Sequence, residues 1–239
     1  KICTGIKTQV NTVMLGIVIP VYRPPDLERT VSWVREHVTV PHHIVIVEHW
    51  RGAPSIRRTD CTHLQVRRAH RYPERGSGSR IGIEYLLKDK RVRVITEVDA
   101  DCTDDIRDID DCYNSILLDS HVIIKSRRLL TSRQHRPWIR RCVTHTFGRV
   151  TELLLQGGIQ DWSYTHRYYP VDALHTHGLP RTTGLHTHMW NFALLVHLWD
   201  CGVRIHERSA TQRDYVRSSI RPQHLARYCW EYAKVLCQR

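Results

Sequence analysis

Arg91-Val92-Arg93-Val94-Ile95-Thr96-Glu97-Val98, followed at once by Asp99-Ala100-Asp101, decides the fold. A β-branched apolar run of this length reads as a strand, and two carboxylates stand where it must end. Upstream, Gly16-Ile17-Val18-Ile19-Pro20-Val21 is a second such run, closed by a proline, and residues 43–47 are a third. Between those two, Pro24-Pro25-Asp26 offers a cap and residues 27–38 carry Leu27, Val31 and Val34 at helical spacing. The pattern is β-α-β. Glycines at 76, 78 and 82 predict a loop entering a helix near residues 83–87.

Strands alternating with helices predict an α/β architecture, a mostly parallel sheet with helices on both faces. In such sheets ligands bind beyond the carboxyl ends of the strands. The segments after Ile19, Val47 and Val98 all lie at such ends. Beyond Ser132 the chain turns helical and basic: helices are expected around residues 137–155, 189–200 and 222–236, with a strand at 203–207 between the last two.

At 239 residues and 41% hydrophobic content the chain can bury one sizeable core. Its longest apolar stretches, such as residues 13–21 and 193–198, are too short for the roughly 20 residues that span a bilayer. No basic segment followed by an apolar run opens it, so a cytosol-facing protein is the expectation. Eight cysteines without a C-x-x-C pair argue against a zinc ribbon and for reduced, mostly buried thiols. A formal charge of +12, carried mainly by arginine, predicts an anionic partner: a diphosphate-bearing substrate, an anionic membrane surface or nucleic acid.

Asp99 and Asp101 are the most informative pair. Two carboxylates two residues apart at a strand end can hold a divalent cation while the cation holds a diphosphate. A D-x-D triplet inside the acidic stretch 99–111 is, taken alone, more often a solvated turn.

Order and spacing change that balance. Ile17-Val18-Ile19-Pro20-Val21-Tyr22, residues 44–48, Arg75-Gly76-Ser77-Gly78 and Asp99-Ala100-Asp101 resemble the successive strand ends of family 2 glycosyltransferases. The later half is similar to the dolichol- or polyprenol-phosphate mannosyltransferase branch. The resemblance there rests on Lys125-Ser126-Arg127, on Asp161 with Arg167 and Tyr168, and on residues 202–207 followed by Arg213 and Ser218-Ser219. It covers residues 14–235.

The resemblance implies one Rossmann-like GT-A domain over residues 1–239, with a C-terminal helical, membrane-proximal part. Residues 14–125 would be the nucleotide-sugar half and 126–239 the acceptor half. It implies inverting transfer of a sugar, mannose first, from GDP-mannose or UDP-glucose to a polyprenyl or dolichyl phosphate with Mg²⁺ or Mn²⁺. Pro20, Tyr22 and Glu48 would surround the base and ribose; Asp99, Ala100 and Asp101 would take the metal and diphosphate, with Arg213 near the donor phosphates. Arg127, Arg140 and Thr144 would hold the acceptor phosphate, and Arg140 and Thr144 share a helix face at four-residue spacing. Asp101 and Arg127 are cast as catalytic, and Asp161 and Arg167 as accessory. Glu48 stands where the family usually has an aspartate, and Arg23-Pro24 replace its Asn and Glu.

Plainer readings stand beside these. His175, His177, His186 and His188 form two H-x-H pairs that would bind a transition metal only if they converged. The arginines at 127, 128, 133, 136, 140 and 141 read, as a bare run, as a solvated or membrane-facing surface. Trp190, Trp199 and Trp230 sit at helical positions, with Trp199 expected in the core. A lipid acceptor without a membrane span predicts a peripheral protein on the cytosolic face, held by an amphipathic surface or by a separate anchoring subunit. Two alternatives remain: a GT-A enzyme with a soluble or polysaccharide acceptor, and a basic nucleic-acid-binding module, which would have no use for Asp99 and Asp101.

Overall fold

The computed structural model describes residues 12–21, 27–48, 60–65, 75–102, 104, 106–126, 138–181, 185, 187–210 and 225–239. In chain order they form β1 (Met14–Val21), α1 (Leu27–His37), β2 (His42–Glu48), β3 (Thr62–Gln65), α2 (Arg75–Leu86), β4 (Val92–Glu97) and α3 (Ile109–Leu118). There follow β5 (Val122–Ser126), α4 (Trp138–Leu155), β6 (Arg167–Pro170), α5 (Val171–His177), α6 (Met189–Asp200), β7 (Ile205–Ser209) and α7 (Leu225–Cys237).

The strands make a 7-stranded sheet in the order β3-β2-β1-β4-β6-β5-β7. Neighbours are parallel except at β6, which runs antiparallel to both β4 and β5. Chain order reverses direction between β1 and β4, and a crevice opens at such a switch point, outside the carboxyl ends of the strands. Pro20 pairs with Val47, Val21 with Glu48, and Val98 N–H reaches Val18 O at 3.0 Å, so the ends of β1, β2 and β4 lie side by side.

The apolar runs are continuous because both faces of the sheet are covered. Leu15, Ile17 and Ile19 of β1 pack with Leu27, Val31 and Val34 of α1 and with Ile109 and Ile116 of α3. Val18 points the other way, into a larger cluster with Ile83 and Leu86 of α2, Trp190 and Phe192 of α6, and Trp162. Trp199 is partly buried against the same cluster, whereas Trp230 of α7 is 64% exposed. Among the described residues no helix is long and apolar enough to cross a membrane.

Four expectations are corrected. The thiols are not mostly buried: of the described cysteines Cys102 and Cys112 are buried, whereas Cys142 on α4, Cys201 after α6, and Cys229 and Cys237 on α7 are exposed. The glycines at 76, 78 and 82 are not in a loop; all three lie inside α2. Glycine is a poor helix former, by about 1 kcal/mol relative to alanine. Here packing overrides propensity: a Cβ on Gly76 would stand 2.0 Å from Thr187 O, and one on Gly82 would stand 2.4 Å from Val18 Cγ1. Only a bare backbone lets α2 seat against β1 and the chain entering α6. Nor is the acidic stretch 99–111 a solvated turn throughout, since Asp104 is 1% exposed and α3 begins at Ile109. The strand expected at 203–207 begins two residues later and ends at Ser209. Strands β3, β5 and β6 and helices α3 and α5 were not anticipated.

Candidate functional site

The site is built on the turn that leaves β4. Asp99 donates its backbone N–H to Asp104 Oδ2 at 2.8 Å, and Asp104 Oδ1 accepts from Tyr164 Oη at 2.9 Å. A buried carboxylate thereby clamps the start of the D-x-D triplet to the loop before β6. Cys102, next after Asp101, is left-handed at φ 55°, a conformation uncommon outside glycine and concentrated at functional turns. Its Sγ lies 3.1 Å from Thr30 Oγ1 on α1. Clamped at both ends, the turn holds Asp99, Ala100 and Asp101 half-buried beyond the carboxyl end of β4, beside the switch point.

Asp99 is ion-paired with Arg75 Nη1, at the first position of α2. The Arg75 side chain is only 14% exposed, and its Nε and Nη2 are buried with no hydrogen-bond partner among the described residues. Its charge reaches Glu97, His188 and Tyr228. The rings of His188 and Tyr228 lie 6.0 Å apart. Burial, reinforced by the charges of Arg75 and Arg167, pushes the His188 imidazole pKa down to about 3, so the ring is neutral at pH 7. Helix α7 is tied to this corner by Glu231, which accepts from Thr187 Oγ1 and from Arg227 Nε at 2.8 Å.

Behind the turn lies a buried polar chain. Glu97, the last residue of β4, accepts from Ser79 Oγ and from Asn191 Nδ2 at 2.8 Å. Burial raises its pKa, against the opposing pull of Arg75, the two hydrogen bonds and Arg167. Asn191 O in turn accepts from Arg167 Nη1.

The predicted residues fall into groups. Pro20 and Glu48 end adjacent strands beside the crevice, both buried, with Glu48 3% exposed. Asp99, Ala100 and Asp101 share the clamped turn. Asp161 is buried beneath the sheet edge, where its Oδ1 accepts from Ser163 N–H and Oγ, at 3.2 and 2.6 Å, and its own N–H donates to Glu207 Oε1 at 2.8 Å. Arg167, 1% exposed, donates to the carbonyls of Tyr164 and Trp162, both at 2.8 Å, and of Asn191. It ties β6 to α6 from within the core. Tyr22, Arg127 and Arg213 lie outside the described residues; for Arg140 and Thr144 only the helical backbone is described, one turn apart in α4.

Among the described residues no group of three or more histidine, cysteine or acidic side chains could hold a metal, and His186 lies outside them. Arg75, Asp104 and Glu231 received no role from the sequence, and His188 entered only as a member of an H-x-H pair. Arg75 had a faint signal, as a basic residue directly before the glycine run. The others acquire their places through partners distant in sequence: Asp104 with Tyr164, His188 with Tyr228 and Glu231 with Thr187.

No protein-family profile matches the sequence, and no curated protein matches it. The folded chain does match solved structures. Glucosyl-3-phosphoglycerate synthase from Mycobacterium tuberculosis with Mn²⁺, UDP and phosphoglyceric acid superposes with a TM-score of 0.66 at 11% identity, over 95% of this chain and 78% of that one. The same enzyme with Mg²⁺ and UDP gives 0.64 at 11% identity, and with Mn²⁺ and UDP-glucose 0.63 at 12%, each over 95% of this chain and 79% of that one. The chain therefore has the GT-A fold. Likeness at this level of identity fixes the architecture.

Proposed function

We propose that this chain is an inverting glycosyltransferase that moves a sugar from a nucleotide diphosphate to a polyprenyl or dolichyl phosphate, with Mg²⁺ or Mn²⁺ as cofactor. The observation that carries the reading is the clamped Asp99-Ala100-Asp101 turn at the mouth of β4, next to the switch point of a GT-A sheet. The neighbours' occupancy by Mn²⁺ or Mg²⁺ together with UDP or UDP-glucose supports it.

The donor set suits the cation. Mg²⁺ and Mn²⁺ take oxygen ligands, and Mg²⁺ is usually held by one or two carboxylates plus substrate phosphates. Asp99 and Asp101 provide two carboxylates and no soft ligand. A cation bound there would neutralise charge on the departing diphosphate. Around it Pro20 and Glu48 would flank the base and ribose, with Tyr22 and Arg213 completing the donor site.

Acceptor activation needs no dedicated base. A phosphate monoester has a second pKa near 6, so at neutral pH it is already largely dianionic and attacks the anomeric carbon directly. The chain has to orient the two substrates in line and offset their charge. Arg127, Arg140 and Thr144 are assigned to the acceptor phosphate. One displacement inverts the anomeric centre. Mannose from GDP-mannose is the first donor to try and glucose from UDP-glucose the second.

A bilayer acceptor calls for a membrane-facing surface. Leu153 and Leu154 on α4 and Trp230 on α7 are 76%, 51% and 64% exposed, and Lys234 lies 5.6 Å over the Trp230 ring. With a net charge of +12 this pairing of apolar and basic groups suits peripheral docking on anionic lipid at the cytosolic face, directly or beside an anchoring subunit. Flotation with anionic but not neutral liposomes is expected; no flotation with either removes direct docking.

A second reading has one observation in its favour: the neighbour also binds phosphoglyceric acid, which points to a soluble anionic acceptor. Radiolabelled sugar transfer from each donor to short polyprenyl phosphate and to phosphoglycerate, with Mn²⁺ and with EDTA, separates the two. Metal-dependent lipid product is the expected result. Product on phosphoglycerate alone establishes the second reading, and absence of both refutes transfer to either acceptor.

A further inference from the structure

We propose that Arg75 is the resident counter-ion of Asp99 in the ligand-free protein, and that it exchanges onto the donor diphosphate when a divalent cation takes its place. The inference rests on the reading of Asp99 as a metal ligand and adds a residue and an order to it.

Three observations lead there. Arg75 and the metal compete for one carboxylate: Asp99 is ion-paired with Arg75 Nη1 beside the switch point. The guanidinium is only partly used, because its Nε and Nη2 are shielded from water and have no acceptor among the described residues. Buried N–H groups are nearly always hydrogen-bonded, and a charged group with idle donors beside a crevice marks a place where a ligand supplies the acceptors. Close by, His188 Nδ1 is likewise buried with no partner among the described residues, and Tyr228 lies within reach of the Arg75 charge.

The chemistry of the missing acceptor follows from the donor geometry. A planar guanidinium fork matches two oxygens of a phosphate group. Displaced from Asp99 by a cation, Arg75 would keep, among the described residues, only the Coulombic pull of buried Glu97, whose oxygens already accept from Ser79 and Asn191. A diphosphate arriving with the cation provides oxygens that are free to accept. Each ligand therefore stabilises the arrangement that the other requires, and such coupling is reciprocal by linkage.

The test is Mn²⁺ binding to the full chain, read by the electron paramagnetic resonance signal of free Mn²⁺ and by calorimetry. It is run alone, with UDP or GDP, and with inorganic pyrophosphate, for the wild type, Arg75→Met and Arg75→Gln. In the wild type, Mn²⁺ should bind weakly alone and about tenfold or more tightly with a nucleoside diphosphate, within the usual range of coupling. Both variants should bind Mn²⁺ alone more tightly than the wild type by about the same factor, because Asp99 is released, and should bind the diphosphate more weakly. Mn²⁺ affinity without nucleotide is the discriminating readout, since direct contact between cation and diphosphate cannot alter it. Arg75→Gln keeps a polar side chain of similar reach and carries the same prediction if the methionine variant does not fold. Pyrophosphate reproducing the effect of UDP assigns the exchange to the diphosphate, whereas a nucleotide-only effect overturns that assignment. Unchanged Mn²⁺ and UDP affinities in folded variants overturn the proposal while leaving the glycosyltransferase reading intact. A folded wild type that binds neither Mn²⁺ nor nucleoside diphosphate overturns the glycosyltransferase reading itself.

Discussion

The corner around Arg75 and the core around Arg167 make an instructive pair. Both arginines are largely removed from water, and both charges act on Glu97 between them. Arg167 donates to three carbonyls, on Trp162, Tyr164 and Asn191, and thereby joins β6, the loop before it and α6. Among the described residues Arg75 has one ionic partner, Asp99, and two idle nitrogens. Two residues of one type, both largely out of water, thus differ in what the fold has left for them to do. A guanidinium saturated by backbone acceptors is a strut, whereas one left short of acceptors beside an opening is available to a ligand.

The sharpest way to break the comparison is Arg167→Met. If Arg167 is a strut, the substitution takes a donor from three carbonyls and should destabilise the fold by about 1–3 kcal/mol for each one left buried and unsatisfied. Urea denaturation checks it; an unchanged midpoint would dissolve the contrast with Arg75. Next comes the mouth itself. Asp101→Ala should reduce sugar transfer about a hundredfold or more, in line with the loss of one electrostatic stabiliser of a departing charge, with little change in the melting temperature. Activity assays beside a thermal melt read both.

Gly76→Ala probes the packing that brings Arg75 to the mouth. The new Cβ would meet Thr187 O at 2.0 Å, and overpacking of that kind costs about 1–3 kcal/mol. It should also loosen the approach of α2 to α6, so binding of Mn²⁺ with UDP should weaken alongside stability; stability lost without any change in binding would separate the two corners. The smallest effect belongs to an arginine pair remote from both. Arg91 holds the Asp89 carboxyl down to about 2 from its ordinary 3.8 through a side-chain hydrogen bond. A depressed carboxyl stabilises the fold above its unfolded pKa, so the contribution is complete above about 4 and is lost as pH falls toward 2. Asp89→Asn should lower neutral-pH stability slightly, leave stability near pH 2 unchanged and so flatten that acid limb.

The parallel half of the molecule was legible because its signals are local. Continuous β-branched runs at 16–21, 43–47 and 91–98 became β1, β2 and β4, and the periodic run from Leu27 became α1. The carboxylates at 99 and 101 could be placed at a strand end for the same reason. Strand β6 was missed because Arg167-Tyr168-Tyr169-Pro170 is short and opens with a charge, and it is a strand only between β4 and β5. The helix at 75–86 was misjudged because its glycines answer to Thr187 and Val18 rather than to helical propensity.

By itself, then, the sequence determined the alternating elements, the covered parallel sheet and the acidic turn at its edge, since each depends on residues within one or two turns of chain. Only the tertiary structure decided which charged groups are structural and which remain open to a ligand. Partners such as Asp104 with Tyr164, Thr187 with Glu231 and Glu97 with Asn191 are brought together over 44 to 94 residues, and burial alone turns the absence of a partner into an invitation.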